Sequence, residues 1–163
     1  MNFDSLEPPY LHLSVASPKE FGAYAFRLNY EKGSEFAVRV VRGNKMLRLD
    51  DLYDEFAAAF QFPDYFGGNW AAFDECLADL EWLPARGYVL LVSNAIEVLS
   101  EEPEKQFAMF VRILSGICEE WARAKTPKSF HVLFQCTEGG VETLRRRSLS
   151  TLADVPVCHL DTA

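Results

Sequence analysis

Two unbroken apolar runs, Gly87-Tyr-Val-Leu-Leu-Val-Ser93 and Phe130-His-Val-Leu-Phe-Gln-Cys136, constrain this chain more than any other feature. A strand that is apolar at consecutive positions has both faces covered, as happens inside parallel sheets flanked by helices. Between the runs, residues 104 to 125 carry Phe107, Phe110, Val111, Leu114, Cys118 and Trp121 on one stripe at helical spacing. Strand, long amphipathic helix, strand is the βαβ pattern, so the spacing predicts an α/β protein with helices packed on a small sheet.

The remaining elements follow from periodicity and punctuation. Residues 9 to 16 alternate well enough to form a strand. Tyr24 to Tyr30 and Phe36 to Val41 flank Glu31-Lys32-Gly33-Ser34, which reads as the turn of a β-hairpin, with Arg27, Arg39 and Arg42 giving the ribbon a wet face. Asp50 or Asp51 is placed to cap a helix bearing Leu52, Phe56 and Phe60, with Tyr53 widening its stripe; Pro63 ends it near Gln61. Asn69 caps a second helix that buries Trp70, Phe73, Leu77 and Leu80, with Ala71, Asp74, Glu75, Ala78 and Asp79 on its other side. A short helix is expected around Ala95 to Leu99. After Gly139-Gly140, a short helix with Arg145, Arg146 and Arg147 and a closing strand within Val155 to Leu160 are expected.

At 163 residues and 49% hydrophobic, the chain fits one domain with one sizeable core. It holds no run of about 18 apolar residues and no basic-then-apolar leader at Met1, so a cytoplasmic protein without a membrane partner is expected. Cys76, Cys118, Cys136 and Cys158 are widely spaced, with no histidine at metal-ligand spacing, and read as four reduced thiols. The net charge of -8 is unevenly spread: Asp50 to Glu104 holds 13 acidic residues against one basic residue, Arg86, leaving the rest of the chain at +4. Such a field repels nucleic acid and attracts cations or basic proteins, or serves only as a solvated face.

Residue chemistry for catalysis is thin. His131 lies inside an apolar run and reads as a core histidine, His12 sits in a strand and His159 near the end of the chain. The glycine pairs Gly67-Gly68 and Gly139-Gly140 match neither a dinucleotide fingerprint nor a phosphate-binding loop with its lysine, so no cofactor is expected. Arg145 to Arg147 read as a helix face making ion pairs. Asp74, Glu75 and Asp79 are of the right type for acid–base work, or for a divalent ion with Asp64. By periodicity, however, they lie on the exposed side of a helix, where little separates their pKa values. No metal site and no enzymatic activity are therefore expected.

The stretch Phe62-Pro-Asp-Tyr-Phe-Gly-Gly-Asn-Trp-Ala-Ala-Phe-Asp-Glu-Cys-Leu77 fits binding better. Tyr65 and Phe66 are large rings in a loop, and adjacent residues of an extended loop point opposite ways, so one ring is structural and one is free. Gly67 and Gly68 let the backbone take positive φ or approach a partner closely.

This stretch resembles the segment that defines barstar-like proteins: proline, acid, two aromatics, glycine, any residue and asparagine, leading into a helix that ends Asp-Cys-Leu. The order of elements over about residues 36 to 136 is similar too. The resemblance implies a parallel three-stranded sheet packed with helices; residues 1 to 35, an N-terminal β extension, and 137 to 163, a C-terminal extension, have no counterpart in it, and the Tyr24 to Val41 hairpin is expected to extend the sheet on one side. It further implies an intracellular inhibitor that plugs the active site of a basic ribonuclease with the 62 to 81 loop and helix. The implied partner-binding residues are Tyr65, Phe66, Gly67, Asn69, Trp70, Asp74, Glu75 and Asp79, with Glu75 on the family's central aspartate and Cys76 on its neighbouring cysteine. Ala71 and Asp74 depart from the pattern, standing where an aspartate and a tryptophan are usual. The alternative is a non-inhibitory interaction module whose partner is not a nuclease.

Overall fold

The computed structural model describes residues 1–160. Its elements run β1 (Leu11–Val15), α1 (Pro18–Lys32), β2 (Phe36–Arg42), α2 (Leu49–Phe60), α3 (Trp70–Asp79), β3 (Gly87–Ser93), α4 (Glu104–Arg123), β4 (Phe130–Cys136), α5 (Gly140–Arg147) and β5 (Val157–Cys158), with single 3-10 turns at Gly43–Lys45 and Ala95–Glu97. The five strands form one sheet in the order β2-β3-β4-β1-β5, and every pairing is parallel. The sheet is thus two strands wider than the three expected: β1 and β5 add to the far side of β4.

The N-terminal β-hairpin is replaced by a helix. Ser17 caps α1 with a reciprocal box, its hydroxyl accepting from the Glu20 backbone N–H while the Glu20 carboxylate accepts from the Ser17 backbone, and Pro18 occupies the first turn. Phe21, Ala25 and Leu28 then fall on one face and are buried, whereas Phe26 and Tyr30, 77% and 85% exposed, lie on the other. The apolar residues of Tyr24 to Tyr30 support either period over so short a span. The cap and the parallel pairing of β2 with β3 decide for the helix, because β1 needs a crossover to reach the opposite edge of the sheet.

The two faces of the sheet are covered unequally. On one, Leu11, Leu13, Val132, Phe134, Leu90 and Val92 meet α2, α3 and α4 in the main core; on the other, Val38, Val89, Leu91 and Leu133 meet Phe21, Ala25 and Leu28 of α1 and Phe3 of the N-terminal segment. This two-sided cover is what the runs at 87–93 and 130–136 require, and thirteen of their fourteen residues are buried. α2 starts at Leu49 without a side-chain cap from Asp50 or Asp51; the Glu102 carboxylate accepts the Leu49 N–H at 3.1 Å instead. The helix ends at Gln61 in the left-handed region (φ 54°).

At the carboxyl ends of the strands, the connections after β4 and β1 leave in opposite directions, which is where α/β sheets open a crevice. Here Gln135, fully buried, fills it. Its side chain donates to Ala16 O at 2.6 Å and accepts from the Asn94 N–H at 2.7 Å.

Replacing fully buried Phe56 by alanine is expected to lower unfolding stability by about 3–5 kcal/mol. Phe26→Ala, on the outer face of α1, should change it by less than about 0.5 kcal/mol in the same urea titration. A large loss at Phe26 would mean that the segment is not the helix described.

Candidate functional site

The loop between α2 and α3 is held by rings. Phe62 meets Phe66 edge-on at 4.9 Å, Phe66 meets Tyr53 of α2 at 5.9 Å, and Trp70 meets Tyr53 at 5.4 Å and Phe73 at 5.5 Å. Phe66 is therefore the structural ring of the pair, and Tyr65 is the free one, 76% exposed. Gly68 takes φ +60°, a conformation that an L side chain rarely adopts, and turns the chain into Asn69. The Asn69 side chain accepts from the Ala72 N–H at 2.9 Å and so caps α3.

These elements make a shallow groove of about 150 Å³ lined by Tyr65, Phe66, Ala72, Glu75, Cys76 and Asp79. Positions 72, 75, 76 and 79 share one face of α3. The groove is acidic: neither Glu75 nor Asp79 joins any ion pair seen among the described residues. Burial pushes the Cys76 thiol up, and the Asp79 and Glu75 carboxylates push it further, which reports negative potential in the groove. Its size suits a single side chain; small-molecule sites run to roughly 300–1,000 Å³.

Of the eight residues predicted to bind a partner, Tyr65, Phe66, Glu75 and Asp79 line this groove directly. Gly67 and Asn69 shape its entrance. Trp70 is largely committed to the interior, its indole N–H donating to Gln106 Oε1 at 2.9 Å. Asp74 lies outside the groove, and partial burial, then the neighbouring Glu75, raises its pKa above the ordinary carboxylate value. Sequence reasoning missed Ala72 and Cys76 as groove residues, although their spacing from Glu75 and Asp79 was available; it had no signal for Gln106, which arrives from α4.

Elsewhere the arginines of α5 are absorbed by the fold. Arg145 pairs with Glu142, Arg146 with Glu104, and Arg147 is buried, donating to Ile96 O and Val98 O and lying 4.2 Å from the Phe107 ring centre. Cys76, Cys118, Cys136 and Cys158 are unpaired. Among the described residues no helix is long and apolar enough to cross a membrane, and no group of three metal-ligating side chains comes together.

The site is a shallow, acidic, aromatic-walled groove carried by a loop and a helix of an α/β scaffold. A family model described as Barstar (barnase inhibitor) matches residues 36–135, and the chain belongs to that family. No curated protein matches its sequence. Solved structures that superpose on it include the ORC2 protein of Aeropyrum pernix in an ADP form (10% identity, TM-score 0.66, 95% of this chain and 43% of that one) and in ADPNP-ADP complexes (11%, 0.63, 92% and 41%). Drosophila ORC bound to GC-rich DNA and Cdc6 is a third (16%, 0.52, 92% and 48%). The chain spans less than half the length of each, and at these identities the likeness is one of fold.

These structures correct the expectation of an inhibitor plugging a basic ribonuclease with no nucleic acid among its partners. The fold that covers nearly the whole chain is shared with ORC proteins, one of them described as bound to DNA and Cdc6. The family match covers only the part from β2 to β4. Neither the ribonuclease nor the exclusion of nucleic acid is carried further.

Asn69→Ala removes the cap and is expected to cost about 1 kcal/mol of stability, read by thermal or urea unfolding. Asn69→Asp, which keeps the acceptor, should restore most of it. Equal losses in both variants would show that the cap is not what Asn69 contributes.

Proposed function

We propose that this chain is a non-enzymatic, cytoplasmic docking domain, and that the groove between Tyr65 and α3 receives one arginine or lysine side chain of a protein partner within a larger assembly. The observation that carries the reading is the pairing of an exposed ring with two carboxylates that have no cation partner among the described residues. Tyr65 offers its face and edge to the aliphatic stem and head of a cationic side chain, while Glu75 and Asp79 accept its N–H groups. Gly67 and Asn69 hold the entrance, Trp70 anchors the start of α3 from the interior, and Asp74 contributes charge from the side. Four unpaired thiols are in keeping with a reducing compartment. A protein partner is also in keeping with the superposed Drosophila structure, whose description names Cdc6 beside DNA.

A photocrosslinking amino acid at position 65, introduced in the native cell, identifies the partner, and binding of the purified pair then tests the groove. Glu75→Lys and Tyr65→Ala are each expected to weaken binding at least tenfold, in the range of an energetic hot spot. Glu97→Lys, an equal charge change at an exposed site outside the groove, should alter it less than about threefold. Affinity of the unmodified chain should also fall as salt rises. Equal effects at positions 75 and 97, or crosslinks from position 65 to nucleic acid alone, overturn the reading.

A further inference from the structure

His12 of β1 and His131 of β4 stand side by side on the face of the sheet that α1 does not fully cover, both buried, with their rings stacked at 5.4 Å and 27°. His12 Nε2 lies 3.2 Å from His131 Nδ1, and His131 Nε2 lies 3.0 Å from the Ser5 carbonyl oxygen. A carbonyl only accepts, so His131 Nε2 carries the proton and donates to Ser5. His131 Nδ1 is then a lone pair, and it accepts from His12 Nε2–H. That leaves His12 Nδ1 as the second lone pair, facing the Cys158 sulfur of β5 at 3.8 Å. The chain of donors has one direction and every ring nitrogen is assigned with both histidines neutral.

This relay joins the two ends of the described chain. Ser5 belongs to the N-terminal segment, whose Phe3 packs edge-on against His131 at 5.8 Å and is buried in the smaller core, and whose Asp4 pairs with Arg86 at 2.6 Å. Cys158 belongs to β5, a two-residue strand whose hold on the sheet includes the Leu13 N–H donating to Pro156 O at 3.0 Å.

We propose that the two ends form a proton-operated clasp: protonation of the His12–His131 pair releases the segment before Tyr10 and β5 from the sheet, while the core from β2 to β4 stays folded. A proton on His12 Nδ1 turns the acceptor facing Cys158 into a donor. A proton on His131 Nδ1 sets its N–H against the His12 Nε2–H, and protonation of both rings places two cations side by side, with those nitrogens 3.2 Å apart. The charged and titratable groups facing the pair are each other, Cys158 from β5, the Tyr10 phenol and the α-amino group of Met1, and none of them is a carboxylate that could compensate an imidazolium. Burial, then His131, and then that α-amino group, depress His12 to about 4, and burial depresses His131 as well. Because the folded values lie below the ordinary histidine value of about 6.5, the clasp is fully held above that pH and weakens as pH falls toward 4.

Amide hydrogen exchange between pH 7 and pH 4.5, corrected for the intrinsic rate, tests this on the full chain. The Leu13 amide is expected to lose up to about tenfold protection per pH unit for each proton taken up below 6.5, with Val89 and Leu91 of β3 unchanged. His12→Gln/His131→Gln should abolish the acid response, and Asp4→Asn should retain it. An undiminished response in the double variant, or its loss in Asp4→Asn, overturns the proposal. Should the double variant not fold, the NMR titration of His12 and His131 in the unmodified chain decides: their midpoints must coincide with the loss of Leu13 protection, and separate midpoints sink it.

Discussion

The packing of Phe56 against Phe73 and Phe110 is the contact on which the placement of everything else depends. The ring centres lie 4.8 Å and 5.8 Å apart, and the three residues come from α2, α3 and α4. All three are fully buried, and Phe110 reaches on to Phe134 of β4, so the helical layer is keyed to the sheet through one aromatic column. Tyr53, Phe62, Phe66 and Trp70 extend that column outward into the loop. The loop that carries Tyr65 therefore needs neither a disulfide nor a metal to keep its shape. Ring pairs contribute roughly 0.5–1.5 kcal/mol each beyond the area that they bury. A loop fixed in this way loses little conformational entropy when it is bound, which is the condition for a small groove to hold a partner at all.

Part of the acidic segment is held within the fold. Glu55 is held by a bidentate pair with Arg42, Glu101 by Arg48, Glu104 by Arg146, and Glu102 accepts the first N–H of α2. The arginines that pair with Glu55, Glu101 and Glu104 come from β2, the turn before α2, and α5, so three of the thirteen carboxylates of this segment are paired in three dimensions. On the groove face of α3, Glu75 and Asp79 join no ion pair among the described residues. An exposed ion pair contributes little to stability, so the lack of a paired cation at the groove costs the fold little.

The parts of this fold that were legible in the sequence are those where one period dominates. β3 and β4 were visible because seven consecutive residues with both faces buried leave no other reading, and α4 because its stripe runs for five turns. Asn69 and Gln61 marked helix ends through local backbone chemistry that needs no tertiary context. α1 was lost because Tyr24 to Tyr30 alternates by accident: two of its large aromatics, Phe26 and Tyr30, are exposed, so the apolar pattern did not report burial. The deciding signal, the Ser17-Pro18-x-Glu20 box, sat seven residues upstream of the stretch that drew attention. The groove was half legible, since Tyr65, Glu75 and Asp79 were recognisable by type, whereas the commitment of Trp70 to Gln106 depends on a helix 36 residues away.

The sheet shares its shape with ORC proteins, yet its own crevice argues that shape and chemistry have parted. In sheets of this kind a phosphate group sits beyond the strand ends, against a helix N-terminus with free N–H groups. Here the N-terminus of α1 already holds the Glu20 carboxylate, which accepts from both the Ser17 N–H and its hydroxyl. The neighbouring space is filled by Gln135, which ties the end of β1 to the residue after β3. A phosphate arriving there would meet a fixed negative charge and would have to displace a buried amide whose two hydrogen bonds link three strand ends. The same residues that close the crevice tie the strand ends together, and the acidic groove lies instead on the loop and helix that the aromatic column supports. A fold fixes where sites can be built, and the side chains decide which of those places is used.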